Sequence, residues 1–339
     1  MQIPFFQPIN LAYSFKKAFP ISAALAFTVA LAPSALAASF ADFVFIVDES
    51  GSMAGEHSWL GSTIGNLEAA LQAKGVGSGF EENRYGLLGF GGYYGGSFYR
   101  NIGVTYGSLE RSIPVGYSLL GSAYEFANAT RYLVSNGSFE DGYSAINYAL
   151  NNYSFREGAA VNFVLVSDED RDNGNGSLNF NSILSGLQQK NALLNVVVNH
   201  QLTGENGQQA IGADAQGNAF LTDGQGGFTT IASGAGVSYR SFGTTKADYV
   251  NLAWATGNST VSGAAWDLNM LRAGGDTAKS FSAAFVEIKA TEALKQTGNG
   301  EPTKVPEPTA TLGLLGCAAF SIGKQIARKS PQVSKIASE

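Results

Sequence analysis

Phe43-Val44-Phe45-Ile46-Val47-Asp48-Glu49-Ser50-Gly51-Ser52-Met53 is the stretch that decides the architecture of this chain. Five β-branched or aromatic residues in succession leave no polar face. They read as a strand covered on both sides, the way a parallel sheet buries its centre. The run stops at an acid followed by two serines at alternate positions. In open α/β sheets ligands sit beyond the carboxyl ends of the strands. One carboxylate and two hydroxyls there are hard oxygen donors, the kind Mg2+ and Ca2+ take. The plainer reading of the serines is that they cap the next helix.

Working outward, the chain alternates strands and helices. A helix is expected over about Trp59–Lys74, with Leu60, Ile64, Leu67 and Leu71 on one face. A strand follows at Arg84–Phe90, then a Gly/Tyr turn over 91–96 and an edge strand at Phe98–Val104. Ser118–Val134 reads as an amphipathic helix burying Leu119, Ala123, Phe126 and Leu133, and Gly142–Asn151 as another carrying Tyr143, Ile146 and Leu150. A second run, Val161–Val166, apolar except for Asn162, ends at Ser167-Asp168. It is followed by a helix near Phe180–Gln189 and a strand at Leu193–Val198. This β-α-β rhythm predicts an α/β fold, a doubly wound, mostly parallel sheet flanked by helices. Gln201–Gly243, rich in Gly, Gln and Asn, breaks the rhythm and reads as a small β-hairpin insertion on the surface. Ser262–Leu271 then leads to a last helix, Thr277–Leu294.

Composition sets the outer bounds. The 339 residues are 45% hydrophobic and 14% charged, enough for one good core. A net charge of −6 offers no basic stripe for nucleic acid. One cysteine rules out an intramolecular disulfide framework, and with only two histidines it leaves no usual Cys/His zinc site. At the N-terminus, Lys16 and Lys17 precede an apolar run from Ala18 to Leu31 and then Ala35-Leu36-Ala37. That is the order of a secretory signal peptide, expected over 1–37, so an exported protein is predicted.

The Asp48-x-Ser50-x-Ser52 tract after its strand resembles the metal-ion-dependent adhesion site of von Willebrand factor type A (VWA) domains, and the elements over 38–295 resemble a whole VWA domain. The resemblance implies three loops around one Mg2+ or Ca2+. The first contributes Asp48, Ser50 and Ser52. The third contributes Asp168, in Ser167-Asp168-Glu169 where the family usually has T-D-G. The middle loop departs from the family, because Asn136-Gly137-Ser138-Phe139-Glu140-Asp141-Gly142 has no threonine. It is more similar to the S-P-E-G-G-F-D-A-I loop of integrin β-subunits, which makes Glu140 the expected ligand. Ser138 is the alternative, with Asp141 and Glu169 in secondary positions. Asp48 and Asp168 already balance a dication. A third carboxylate about 4 Å away is worth roughly 4 kcal/mol at an effective dielectric near 20, which favours Ca2+ over Mg2+, or a weaker contact with an acidic partner. Glu56, Glu169, Asp170 and Asp172 form an acidic surround, able to hold a second cation but more simply solvated.

The tail reads separately. A polar linker over 296–304 precedes Val305-Pro306-Glu307-Pro308, an apolar stretch Ala310–Gly323, and Lys324, Arg328 and Lys329. Over 305–330 this resembles the PEP-CTERM sorting signal of bacterial exported proteins. It implies a C-terminal transmembrane segment, exosortase-type sorting machinery, and a place at the cell envelope or in the extracellular matrix. The two resemblances together imply an adhesion protein that engages a protein or extracellular polymer through a carboxylate donated to the metal. A matrix protein with a purely stabilising cation is the alternative. No enzyme is expected, since neither His57 nor His200 sits in a triad or zinc motif. A metal-assisted hydrolase using Glu140 or Glu169 as base is the remaining reading.

Overall fold

A computed structural model describes residues 39–93, 110–232, 236–241 and 243–298. The expected signal peptide, the edge strand at Phe98–Val104, most of the linker and the C-terminal sorting segment lie outside these residues. Among the described residues, no helix is long and apolar enough to cross a membrane.

The first apolar run forms β1 (Ala41–Asp48), buried along its whole length. It pairs in parallel with β2 (Arg84–Phe90) on one side and β5 (Ala160–Ser167) on the other. Beyond β2 the sheet ends in the antiparallel β3 (Glu110–Ile113) and the short β4 (Leu120–Gly121). Beyond β5 it continues through the parallel strands β6 (Ala192–Val198) and β13 (Ala264–Asp267). The result is a mixed, mostly parallel sheet flanked by helices, as the alternation of elements predicted.

The continuous apolar character of β1 has a direct cause, since alternate side chains enter two different cores. Phe43, Phe45 and Val47 pack under α1 (Glu56–Ala73), α2 (Ala123–Ala129) and the last helix. Val44 and Ile46 face α3 (Gly142–Asn152), α4 (Phe180–Gln189) and α5 (Asn251–Ala255). Each such side chain contributes about 1.5–3 kcal/mol through burial. A polar residue at any of positions 43–47 would damage one face or the other.

Two expectations are corrected. The helix expected over Ser118–Val134 starts only at Ala123, because Ser122 and Glu125 form a reciprocal capping box there. Residues 115–121 turn back as a hairpin onto β2, and Leu119 is partly exposed rather than buried. The Gly-rich segment is also not a surface appendage. Its strands β9 (Gly212–Asp214), β10 (Ala219–Thr222) and β11 (Phe228–Ile231) extend the main sheet antiparallel from β13. Strands β7 (His200–Thr203), β8 (Gln209–Ala210) and β12 (Gly236–Ser241) make a separate three-stranded sheet. The reason lies in packing, with Phe220 stacked on Trp266 at 5.3 Å. Trp266 in turn meets Phe281 and Phe285 edge-on, at 5.9 and 5.4 Å. These two phenylalanines lie on α7 (Gly275–Gln296). The edge of the sheet is thus held under the last helix by an aromatic stack worth more than its area alone.

The chain between β12 and β13 holds a helical element the apolar spacing did not reveal. A π turn, Lys246–Val250, runs into α5 and buries Tyr249 completely.

Candidate metal centre

The register of the central strands positions the site. Val47 of β1 lies beside Val166 of β5, so Asp48 and Ser167 emerge next to each other at the carboxyl edge. The Ser167 hydroxyl donates to Asp48 Oδ2 at 2.8 Å, and the Ser50 backbone N–H donates to Oδ1 at 2.7 Å. Asp48 is fully buried. Burial, partly offset by these hydrogen bonds, pushes its carboxyl up to about 6.

The serines do not act as side-chain caps on the turn Gly51–Met53 or on α1. Ser50 Oγ lies 3.0 Å from Ser52 Oγ, and Ser52 Oγ donates to Asp168 Oδ1 at 2.9 Å. Asp48, Ser50, Ser52 and Asp168 therefore form one connected set of oxygens from two strand ends. His57 has its Nε2 3.0 Å from the Asp48 carbonyl oxygen, at the start of α1.

The middle loop is zipped to the first through backbone. Asn136 and Gly137 N–H both donate to the Glu49 carbonyl at 3.1 Å, and Gly51 N–H donates to the Gly137 carbonyl at 3.1 Å. Gly91, just past β2, has φ +75° and packs against this loop. A Cβ on Gly137 would meet the Gly91 carbonyl oxygen at 1.6 Å, so only glycine permits the approach. Beneath the loops Glu49 is gripped by Arg111 of β3 and accepts Val134 N–H at 2.8 Å.

Glu140 is brought to the same edge and is only 2% exposed. Its backbone N–H donates to Asp172 Oδ2 at 2.7 Å, and Asp172 N–H donates back to its carbonyl at 3.0 Å. Burial, then the charges of Asp48, Glu169 and Asp172, push its carboxyl up to about 8. Burial and these neighbours therefore favour its protonated form, and a cation binding Glu140 would have to displace that proton.

The secondary residues are placed differently. Asp141 caps α3, accepting Tyr143 and Ser144 N–H, and pairs with Arg171 at 2.7 Å. Its oxygens are taken up away from Asp48. Ser138 and Glu169 are exposed. Of the acidic surround, Asp170 accepts from Thr244 at 3.3 Å and Asp172 holds Glu140, so these residues work as separate latches. Among the described residues no three Asp, Glu, His or Cys side chains gather to hold a metal, so a cation here depends on the serine hydroxyls.

Comparison with protein-family models and with curated proteins returned no match. Among solved structures the chain is similar to proximal thread matrix protein 1 (PTMP1) from the mussel byssus. That likeness has 12% identity and a TM-score of 0.33, over 48% of this chain and 36% of that one, and one PTMP1 structure has a zinc occupied MIDAS motif. It is also similar to the pilus adhesin SpaC from Lactobacillus rhamnosus GG, at 13% identity and a TM-score of 0.41, over 76% of this chain and 31% of that one. The chain spans about a third of the length of each protein. Likeness at this level carries no argument about function.

The donor set itself can be tested for fit. Neighbouring ligands of an octahedral Mg2+, each about 2.0–2.1 Å from the ion, lie roughly 2.8–3.0 Å apart, and the equatorial oxygens of a seven-coordinate Ca2+ are about as close. The Ser50–Ser52 and Ser52–Asp168 separations of 3.0 and 2.9 Å therefore fit either ion. Such lengths are also those of ordinary hydrogen bonds, so the weight falls on the convergence of the oxygens at one strand edge.

One participant had no sequence signal. Arg272 of α6 (Leu268–Arg272) places its guanidinium 2.8 Å from Asp168 Oδ2 and 2.5 Å from Glu56 Oε1. Burial works against its charge, but hydrogen bonds to Glu56 and Asp168 outweigh burial and raise its pKa further.

Proposed function

We propose that this chain is an exported protein of VWA type that binds another protein or an extracellular polymer through one divalent cation. Asp48, Ser50, Ser52 and Asp168 would hold the ion, and Glu140 would have to shift from its present place in the middle loop to join them. The bound ion would supply an electrophilic position for a partner's carboxylate, while the surrounding loops select which partner docks. The observation that carries this reading is the convergence of the Asp48, Ser50, Ser52 and Asp168 oxygens at one strand edge.

What supports binding rather than catalysis is the disposition of the histidines. His57 has its Nε2 on a backbone carbonyl, and burial with the Lys246 charge holds the buried His200 down at about 4. A hydrolytic reading draws on Glu140, whose raised carboxyl could carry a proton beside a metal-bound water. An ester and phosphoester panel tests that reading, and turnover lost in Glu140→Gln would favour it.

The binding reading is tested by capture on the immobilised full-length chain from the surface fraction of the producing cell. Partner capture is expected with Mg2+ and lost both in EDTA and in Asp48→Ala. Capture unchanged by chelator would end the proposal.

A further inference from the structure

We propose that Arg272 sets the charge of the metal centre, opposing the cation while keeping the loaded site receptive to an anionic partner. The inference rests on the metal-centre reading above. Asp168 presents its two oxygens to different neighbours. Oδ1 accepts the Ser52 hydroxyl at 2.9 Å, whereas Oδ2 accepts Arg272 Nη2 at 2.8 Å. A cation joining the serine oxygens would use the Oδ1 side, so the ion pair and the cation coexist on one carboxylate. Arg272 is fixed in this position from two more directions. Its Nε donates to Glu56 Oε1 at 2.5 Å and its Nη2 to the Ser52 carbonyl at 3.3 Å.

A guanidinium does not lose its proton in a protein, so this positive charge is permanent. Like charges on opposite oxygens of one carboxylate repel, and Arg272 therefore weakens cation binding. It also lowers the net charge. Asp48, Asp168, Glu56 and a Glu140 ionised by the cation are four acids, and a dication with Arg272 leaves one negative charge. Without Arg272 the loaded centre carries two negative charges and repels a carboxylate more strongly. Glu56 acts in the opposite sense, because it draws the guanidinium partly away from Asp168 and adds its own negative charge. Its Oε2 is buried with no hydrogen-bond partner, so the arginine is its main compensation.

The test titrates the full-length wild type, Arg272→Gln, Arg272→Lys, Glu56→Gln and Asp48→Ala with Mn2+ by calorimetry. Thermal melting of each metal-free protein checks folding. At saturating Mn2+, acetate is then added as the anionic probe, followed by water-proton relaxation of the bound ion. Arg272→Gln is expected to bind Mn2+ about fivefold tighter or more and to bind acetate more weakly. Arg272→Lys should stay near wild type, and Glu56→Gln should bind Mn2+ more weakly. If wild type binds Mn2+ and Arg272→Gln binds it equally or less tightly, Arg272 merely positions Asp168 and the proposal is overturned while the metal centre stands. If wild type binds no better than Asp48→Ala, the metal centre and this proposal fall together.

Discussion

Ser52 Oγ donates to Asp168 Oδ1 at 2.9 Å across 116 residues of sequence, tying the loop after β1 to the loop after β5. This bond joins the two halves of the donor set. Ser52→Ala would remove one proposed hydroxyl ligand and free the Asp168 carboxyl to turn. Cation affinity is expected to fall about 10–100-fold, as when the supports of a metal ligand are lost. The fold should lose only about 1 kcal/mol, the net worth of one hydrogen bond. Calorimetry with Mg2+ and a urea melt of the metal-free protein check the pair of values. An unaltered affinity would show that Ser52 is no ligand.

Asp48 and Glu140 are both raised, to about 6 and about 8. Above the unfolded values of 3.8 and 4.5, the folded state holds protons that the unfolded chain has released. Metal-free stability from these two groups is therefore greatest in acid and declines as pH rises toward about 8. A cation bound by these groups would replace their protons, so the rise in melting temperature caused by Mg2+ should grow between about pH 5 and about pH 8. Melts across that range, with and without Mg2+, measure it. A Mg2+ effect independent of pH would contradict the assignment.

Gly137→Ala tests the backbone contact between loops. The added Cβ would lie 1.6 Å from the Gly91 carbonyl oxygen, where no flexible side chain can give way. Overpacking of this kind costs about 1–3 kcal/mol. The loops must separate, so a loss of Mg2+ affinity should accompany the loss of stability. Gly55→Ala, where a Cβ meets nothing within 4 Å, serves as the control.

The opposite end of β1 offers a contrast. Asp42 is buried between Arg84 and Arg156, at 2.7 and 2.6 Å. Burial raises its pKa, but hydrogen bonds from both arginines and the Arg156 charge outweigh it and hold the carboxyl below its usual range. Its contribution is present above the unfolded value and lost as pH falls through the lower folded one. Asp42→Asn is expected to cost about 2–4 kcal/mol, the lower part of the range reflecting two partly exposed arginines. Mg2+ affinity should be unchanged. Denaturant melts and calorimetry separate the two effects.

Much of the fold was legible because it rests on local periodicity. The apolar run at 43–47 and the run at 161–166, broken only by Asn162, read as doubly covered strands, and α4 falls on the expected Phe180–Gln189. Other features depend on contacts that periodicity does not encode. Ala219–Thr222 alternates like any surface hairpin. Its burial follows from Phe220 meeting Trp266, a residue distant in the chain. Leu119 matched a helical face, but the Ser122–Glu125 capping box moved the helix start beyond it.

By itself the sequence determined which oxygens reach the rim of the sheet. Asp48 ends one apolar strand and Ser167-Asp168 ends another, and the register of the structure shows those two strands to be neighbours. Only the tertiary structure decided the charge around those oxygens. It turned Asp141 toward Arg171, buried Glu140 so that its carboxyl is pushed up to about 8, and brought Arg272 onto Asp168. The physical reason is one of range. Strand and helix signals act over a few residues, whereas electrostatic balance is set by groups that only folding brings within a few ångströms of one another.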